Sequence, residues 1–402
     1  MSHKLENYFQ ELLHISHKFS STEDQKFVNQ ILSSSLMVND SNILETKSKI
    51  GQVLDLIITF YRRKLPNAIF SSFLLEIGFF TSDHGYADLS INIFKMVISR
   101  SKKLHTKNTE DYAAAAYLGL AQIALWEGDW IKTKYNIKKA KNIYSRQNNR
   151  MGLADTENFL GAVFAEKGDI TKALKQFEYA FSFVKSTKKN LVKSKIQNNL
   201  GIICTMAHKY SEALNYYNSA LNDFYELEDS KKIAETLHNI GMLQLKLENY
   251  EEALEKFSES NQIAILENLH PIVGISYLGL AEVYFYMNRI EEAEKSLEEC
   301  LRNCYMINDR LTIADAFKIK SLIEKNEGKL NDAEAHLLAS IRINQEFKNE
   351  MNLAESSVQL GVLYLSMHKK TESRENLLSA LRYYTKNNAL KEAEDILRIL
   401  NK

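Results

Sequence analysis

Residues 160 to 180, from Leu160 to Ala180, read LGAVFAEKGDITKALKQFEYA. Small residues stand at Gly161, Ala173 and Ala180, bulky apolar ones at Leu160, Phe164 and Phe177, and Gly168-Asp169 lies between the two apolar patches. Forty residues on, Leu200 to Ala220 reads LGIICTMAHKYSEALNYYNSA; forty further, Ile240 to Ser260 reads IGMLQLKLENYEEALEKFSES. A fixed period of this length marks a repeat architecture, in which each unit buries its apolar face only against its neighbours.

The columns extend well beyond these three units. Ala121, Gly161, Gly201, Gly241, Ala281, Ser321 and Gly361 form one small-residue column; Thr133, Ala173, Ala213, Ala253, Ala293, Ala333 and Ser373 form a second; Ala140 to Ala380 forms a third. Bulky columns run from Leu120 to Leu360, broken by Lys320, and from Ile137 through Phe177, Tyr217 and Phe257 to Leu377. Small side chains let two helices approach where they cross, and bulky residues one turn away fill the grooves beside the crossing. Each unit then reads as a helical hairpin. Gly128-Asp129, Gly168-Asp169 and Gly328-Lys329 occupy the turn between its helices. Asn149, Asp229, Asp309 and Asn349 are placed to cap the first helices of their units.

Composition agrees with an all-helical chain. Only two prolines and 14 glycines occur in 402 residues, which favours long helices joined by short turns and excludes an all-β fold. Apolar residues make up 45% and charged residues 25%, enough for a continuous core. Lys plus Arg (51) equals Asp plus Glu (51), so no net field draws the chain to nucleic acid, and basic residues such as Lys138, Lys139 and Lys141 form short clusters rather than a stripe. No apolar run is long enough to span a membrane, and the N-terminus lacks the features of a secretion signal, so no membrane insertion and a cytoplasmic location are expected. Three cysteines make no disulfide framework; Cys300 and Cys304 share a helix face but lack the further ligands of a metal site.

LGxxF in Leu160 to Phe164, followed by Ala173, Phe177 and Ala180, resembles the tetratricopeptide pattern over roughly residues 114 to 383. The usual unit of that family has about 34 residues, so helices longer by nearly a turn are implied here. The chain is similar to the long-repeat branch, which includes Pins-type cell-polarity adaptors and the repeat domains of Rap-type peptide-pheromone receptors. The resemblance implies an all-α, right-handed α-solenoid of helical hairpins with an N-terminal helical segment and a C-terminal capping helix.

The expected organisation is a helical bundle or cap over 1–66, from three amphipathic stretches at about 3–19, 22–38 and 42–63; a degenerate hairpin over 67–110; seven repeats over 111–388; and a capping helix over 389–402. Residues 1–104 are also compatible with self-association.

In the family this chain resembles, first helices line a concave groove. Counting Ala121 as repeat position eight, position five holds Asn158, Asn198 and His238 in succession, position two holds Lys195 and Glu235, position nine holds Gln122, Ile202, Met242 and Glu282, and position twelve holds Thr205 and Phe285. This apolar floor with an Asn-Asn-His ladder suits a peptide, because Asn amides bond both N–H and C=O of a backbone. The competing reading is that the ladder ties successive repeats together; Asn199 and Asn239 are expected to do so. The co-chaperone members of the family place an Asn at position nine to hold a terminal carboxylate. None stands there in this chain, so a chaperone-tail clamp is disfavoured.

No phosphate loop, dinucleotide fingerprint, HExxH, GxSxG or CxxC motif is present, so no enzyme and no cofactor or metal is expected. Two functions follow: a scaffold or adaptor that binds a peptide or protein segment in the groove, or a Rap-like regulator in which a peptide in the groove controls an effector-binding N-terminal bundle.

Overall fold

The structure, a computed structural model, describes residues 2–36, 43–188, 190–387 and 389–401. Among them secondary structure is helical, with twenty helices and no strand. The chain forms two compact units, 1–160 and 161–402.

The first unit begins with α1 (Ser2–His17), α2 (Thr22–Leu36) and α3 (Ile43–Lys64), close to the three amphipathic stretches read from sequence; residue 1 and residues 37–42 lie outside the described residues. Next come α4 (Asn67–Asp83) and α5 (Ala87–Leu104), then α6 (Lys107–Trp126), α7 (Trp130–Arg146) and most of α8 (Arg150–Glu166). One apolar core runs through α1 to α6 and includes Phe9, Leu12, Val28, Leu54, Ile57, Phe73, Ile77, Phe94 and Ala116. Buried Tyr61 donates its hydroxyl to the Ser16 carbonyl at 3.0 Å, pinning α3 to α1. In the α4–α5 hairpin the ring of Phe94 sits over Gly78, sixteen residues earlier, with left-handed Gly85 in the turn. This is the geometry of the later repeats, three residues out of their forty-residue frame because α6 is longer than the other first helices.

The second unit is a stack of hairpins. The end of α8 pairs with α9 (Ile170–Val184); then come α10 (Leu191–Met206) with α11 (Tyr210–Glu226), α12 (Ser230–Lys246) with α13 (Tyr250–Leu266), α14 (His270–Tyr286) with α15 (Ile290–Ile307), α16 (Arg310–Asn326) with α17 (Leu330–Glu346), and α18 (Glu350–Ser366) with α19 (Lys370–Lys386). Helix α20 (Leu390–Leu400) packs on α19 through Ala393 and Ile396, as a cap.

The small-residue columns act more directly than their spacing suggested. In sequence, the bulky residues belong beside the helix crossing; in the structure the bulky ring lies over the small residue itself. A Cβ on Gly201 would meet the Tyr217 ring at 2.5 Å, and Phe177 fills the same hole over Gly161. The repeat is thus a ring seated in a pocket made by the missing side chain, sixteen residues away.

Capping follows the sequence reading. Asp229, Asp309 and Asn349 accept a hydrogen bond from the backbone N–H three residues on, and the Asn149 side chain accepts from the Gly152 N–H at 2.9 Å. Asp129 and Asp169 do the same for second helices. Gly128, Gly168 and Gly328 have left-handed φ in the hairpin turn, but so do His208, Glu248, Asn288 and His368 in the same slot, where no glycine signal exists. The next residue then donates back across the turn, as Asn249 N–H does to the Gln244 carbonyl at 3.0 Å. That bond closes the helix end and holds a conformation which costs a side-chain-bearing residue about 1–2 kcal/mol.

Unit 2 curls until its ends touch. The Gly168 turn lies against Asn387 and Tyr383 at the end of α19, and His208 reaches Glu392 of α20.

Candidate functional site

The first helices α10, α12, α14, α16 and α18 each touch the next one along, forming one continuous inner face. Of the residues predicted for the groove, Gln122 on α6 and Asn158 on α8 belong to unit 1, Gln122 half-buried and Asn158 buried. The others lie on three successive inner helices of unit 2: Lys195, Asn198, Ile202 and Thr205 on α10; Glu235, His238 and Met242 on α12; Glu282 and Phe285 on α14.

Several of these already have bonds. Asn198 is buried, and its Oδ1 accepts from the Thr236 hydroxyl and from Nδ2 of Asn239, both at 3.3 Å, so it ties α10 to α12. Asn239 therefore serves the inter-repeat role expected of it. Thr205 donates its hydroxyl to the Gly201 carbonyl at 2.9 Å within its own helix. Glu235 pairs with Lys232, one turn back. Lys195 is half-buried and makes no ion pair among the described residues. Ile202, Met242 and Phe285 are half-buried, each packed against the apolar core of its own repeat.

Two groups stand apart. His238 packs its ring 5.3 Å from that of Phe257, and its buried Nδ1 has no hydrogen-bond partner among the described residues. Burial pushes its pKa down to about 4, leaving the imidazole neutral near pH 7. Glu282 is half-buried on α14, with no hydrogen bond or ion pair among the described residues. Burial pushes its carboxyl up to about 7, with Lys318 pulling the other way and Glu355 adding to the rise. The charged groups that act on it, Lys318, Glu355, Lys246 and Asp315, sit on α12, α16 and α18.

Lys318, the position-five residue of α16, is buried. Its Nζ lies 2.9 Å from Asp315 Oδ1 and 2.8 Å from Glu355 Oε2, and Asp315 also accepts from Asn352 Nδ2 at 3.0 Å. Burial would lower the ammonium pKa, but Glu355 and Asp315 outweigh it and hold the group protonated. Sequence reading missed this network, although the signal was present: Asp315 and Lys318 are one turn apart, and Glu355 follows Asp315 by one repeat.

Beside Glu282, the rings of Tyr250 and Tyr286 stack nearly parallel, 5.9 Å apart, with Tyr286 half exposed one turn beyond Glu282 on the same helix. Tyr250 begins a second helix, which is why a reading confined to first helices passed over it.

All three thiols are buried, and burial pushes Cys204 up to about 11, which keeps it protonated. Among the described residues, no group of three or more His, Cys, Asp or Glu side chains is placed to hold a metal ion, and no helix is long and apolar enough to cross a membrane.

Residues 232–305 match the tetratricopeptide repeat family model. A curated relative, kinesin light chain-related protein 3 of Arabidopsis thaliana, is 24% identical over 238 residues, which is 55% of this chain; the chain spans 36% of that protein's length. Two solved structures share the fold along nearly the whole chain. A Rap protein complexed with Competence and Sporulation Factor superimposes with a TM-score of 0.63 at 13% identity, covering 96% of this chain and 99% of that one. The Rap conjugation gene regulator of plasmid pLS20, in complex with the Phr* peptide, gives 0.59 at 16% identity, covering 95% and 98%. Residues 232–305 thus carry the tetratricopeptide repeat, and the chain shares the all-helical fold of these two solved structures.

Proposed function

We propose that this chain is a protein-interaction scaffold whose unit 2 groove captures a peptide or an extended protein segment. The observation that carries the reading is the inner face of α10, α12 and α14, where half-buried Ile202, Met242 and Phe285 accompany a Glu282 carboxyl that has no hydrogen-bond partner within the described chain. A half-buried polar group without a partner carries a desolvation cost that a ligand's donors relieve. The preformed helices also lose little conformational freedom on binding. A scaffold of this kind needs neither catalytic group nor cofactor.

The test is retention of random peptides on the immobilised full-length protein, comparing wild type with Met242→Lys and Ile202→Lys. Loss of retention in both variants, with helicity unchanged, supports the groove; equal retention refutes it.

A second reading, a peptide-controlled regulator, is favoured by one observation in unit 1. Helices α2 and α3 flank an open groove of about 680 Å³ lined by Phe27, Ile31, Leu56, Thr59 and Phe60, with Phe27 and Phe60 stacked at 4.5 Å and Leu56 exposed. Exposed apolar surface of this kind is where an effector protein would dock. Leu56→Glu that loses an effector while retaining groove peptides would support this reading; an effector that binds Leu56→Glu and wild type equally would end it.

A further inference from the structure

The groove carries one group whose chemistry narrows its ligand. Glu282 is half-buried and has no close cationic partner: Lys318 gives its ammonium to Asp315 and Glu355, and exposed Lys246, at the end of α12, acts on the carboxyl without forming an ion pair with it. One turn along α14, Tyr286 presents half its surface and stacks on Tyr250, so aromatic faces and an unpaired carboxyl lie side by side. From the other inner helices, Asp315 and Glu355 add negative charge and the imidazole of His238 adds none.

We propose that Glu282 with the Tyr250–Tyr286 stack is a socket for a cationic group, the ammonium or guanidinium of a peptide held in the groove. The proposal rests on the peptide-binding reading above and deepens it by naming the ligand's charge. Anionic side chains are disfavoured at the same place, where the carboxyls of Glu282, Asp315 and Glu355 outnumber the ammonium groups of Lys318 and Lys246. A neutral apolar side chain would leave the half-buried carboxyl without a partner. A cation meets both needs, pairing with the carboxylate and resting on the electron-rich faces of the tyrosines. Because burial favours the protonated acid, docking of the cation displaces a proton from Glu282 to solvent, and binding strengthens as pH rises from 6 to 8.

The test uses immobilised full-length protein and pools of N-acetylated, C-amidated hexapeptides, random except for one central position fixed as Arg, Lys, Gln or Glu. Wild type is expected to retain the Arg and Lys pools about tenfold better than the Gln pool, and the Glu pool least. Glu282→Gln should abolish the preference, Tyr286→Leu should weaken it, and circular dichroism checks that both variants fold. The pH trend of the Arg pool should vanish in Glu282→Gln. A parallel set of unacetylated pools lacking Lys and Arg identifies a terminal ammonium as the source, if they match the Arg pool and lose that gain in Glu282→Gln. Retention independent of the fixed residue and of the free amino terminus overturns the socket and leaves the groove reading standing. No retention of any pool by wild type overturns both.

Discussion

His208 Nε2, in the turn between α10 and α11, lies 3.3 Å from Glu392 Oε1 on α20. The same imidazole's Nδ1 is 2.8 Å from the Tyr210 hydroxyl, so the ring is held on both sides. Together with the Gly168 turn packed against Asn387, this contact joins the α10–α11 hairpin to the C-terminal cap and closes unit 2 on itself.

Opening that contact should change curvature more than stability. Both side chains are about a third exposed, where a single pair contributes at most about 1 kcal/mol. Glu392→Ala combined with Asn387→Trp, which crowds Gly168, is expected to leave helicity and the thermal midpoint nearly unchanged while raising the radius of gyration in small-angle scattering. An unaltered scattering profile would show that repeat packing alone sets the curvature.

Gly201 tests the ring-in-pocket geometry. A single methyl there meets the Tyr217 ring at 2.5 Å, so Gly201→Ala should lower stability by about 1–3 kcal/mol despite its better helix propensity. Denaturant midpoints measure this. Gly201→Ala with Tyr217→Leu should recover part of the loss; stability at or above wild type in the single variant would contradict the packing described.

Lys318 holds two carboxylates on successive inner helices. Removing it in Lys318→Met leaves Asp315 and Glu355, both partly exposed, without their ammonium partner near Glu282, with an expected loss of about 1–3 kcal/mol near neutral pH. The loss should shrink under acid conditions as the carboxyls protonate. A variant as stable as wild type at pH 7 would show that solvent screens the network.

Glu282 gives a pH dependence of defined sign. Its carboxyl is raised by burial from the ordinary glutamate value of 4.5 to about 7, so between those values the folded chain holds a proton that the unfolded chain has released. Stability from this group is therefore greatest below about 4.5 and falls as pH rises to about 7, by an amount on the order of 2–3 kcal/mol. Glu282→Gln should stabilise the protein at pH 8 and much less at pH 5, measured as the difference in denaturation midpoint. An equal effect at both values would mean that the carboxyl titrates normally. His238, lowered by burial, acts in the opposite sense: its contribution is lost as pH falls from about 6.5 towards about 4.

Much of the architecture is legible in the residues themselves. The columns headed by Gly161 and Ala173, and the caps at Asp229, Asp309 and Asn349, are local signals: each hairpin contacts chiefly its neighbours, so composition at fixed spacing decides helix, turn and crossing. The inner positions could be named by the same counting, but not their state. Asn198 and Glu282 look equivalent in sequence as polar residues on the inner face, yet one is bonded to the next helix and the other has no hydrogen bond or ion pair within the described chain. Which donor reaches which acceptor depends on the rotation between successive hairpins, which no single repeat encodes. The closure of His208 on Glu392 depends on the sum of those rotations over several repeats, so a small error in each would displace it entirely. Sequence alone determined the repeat, its helix caps and the three glycine turns; only the tertiary structure decided the left-handed turns without glycine, which inner groups are already bonded, and that unit 2 meets itself.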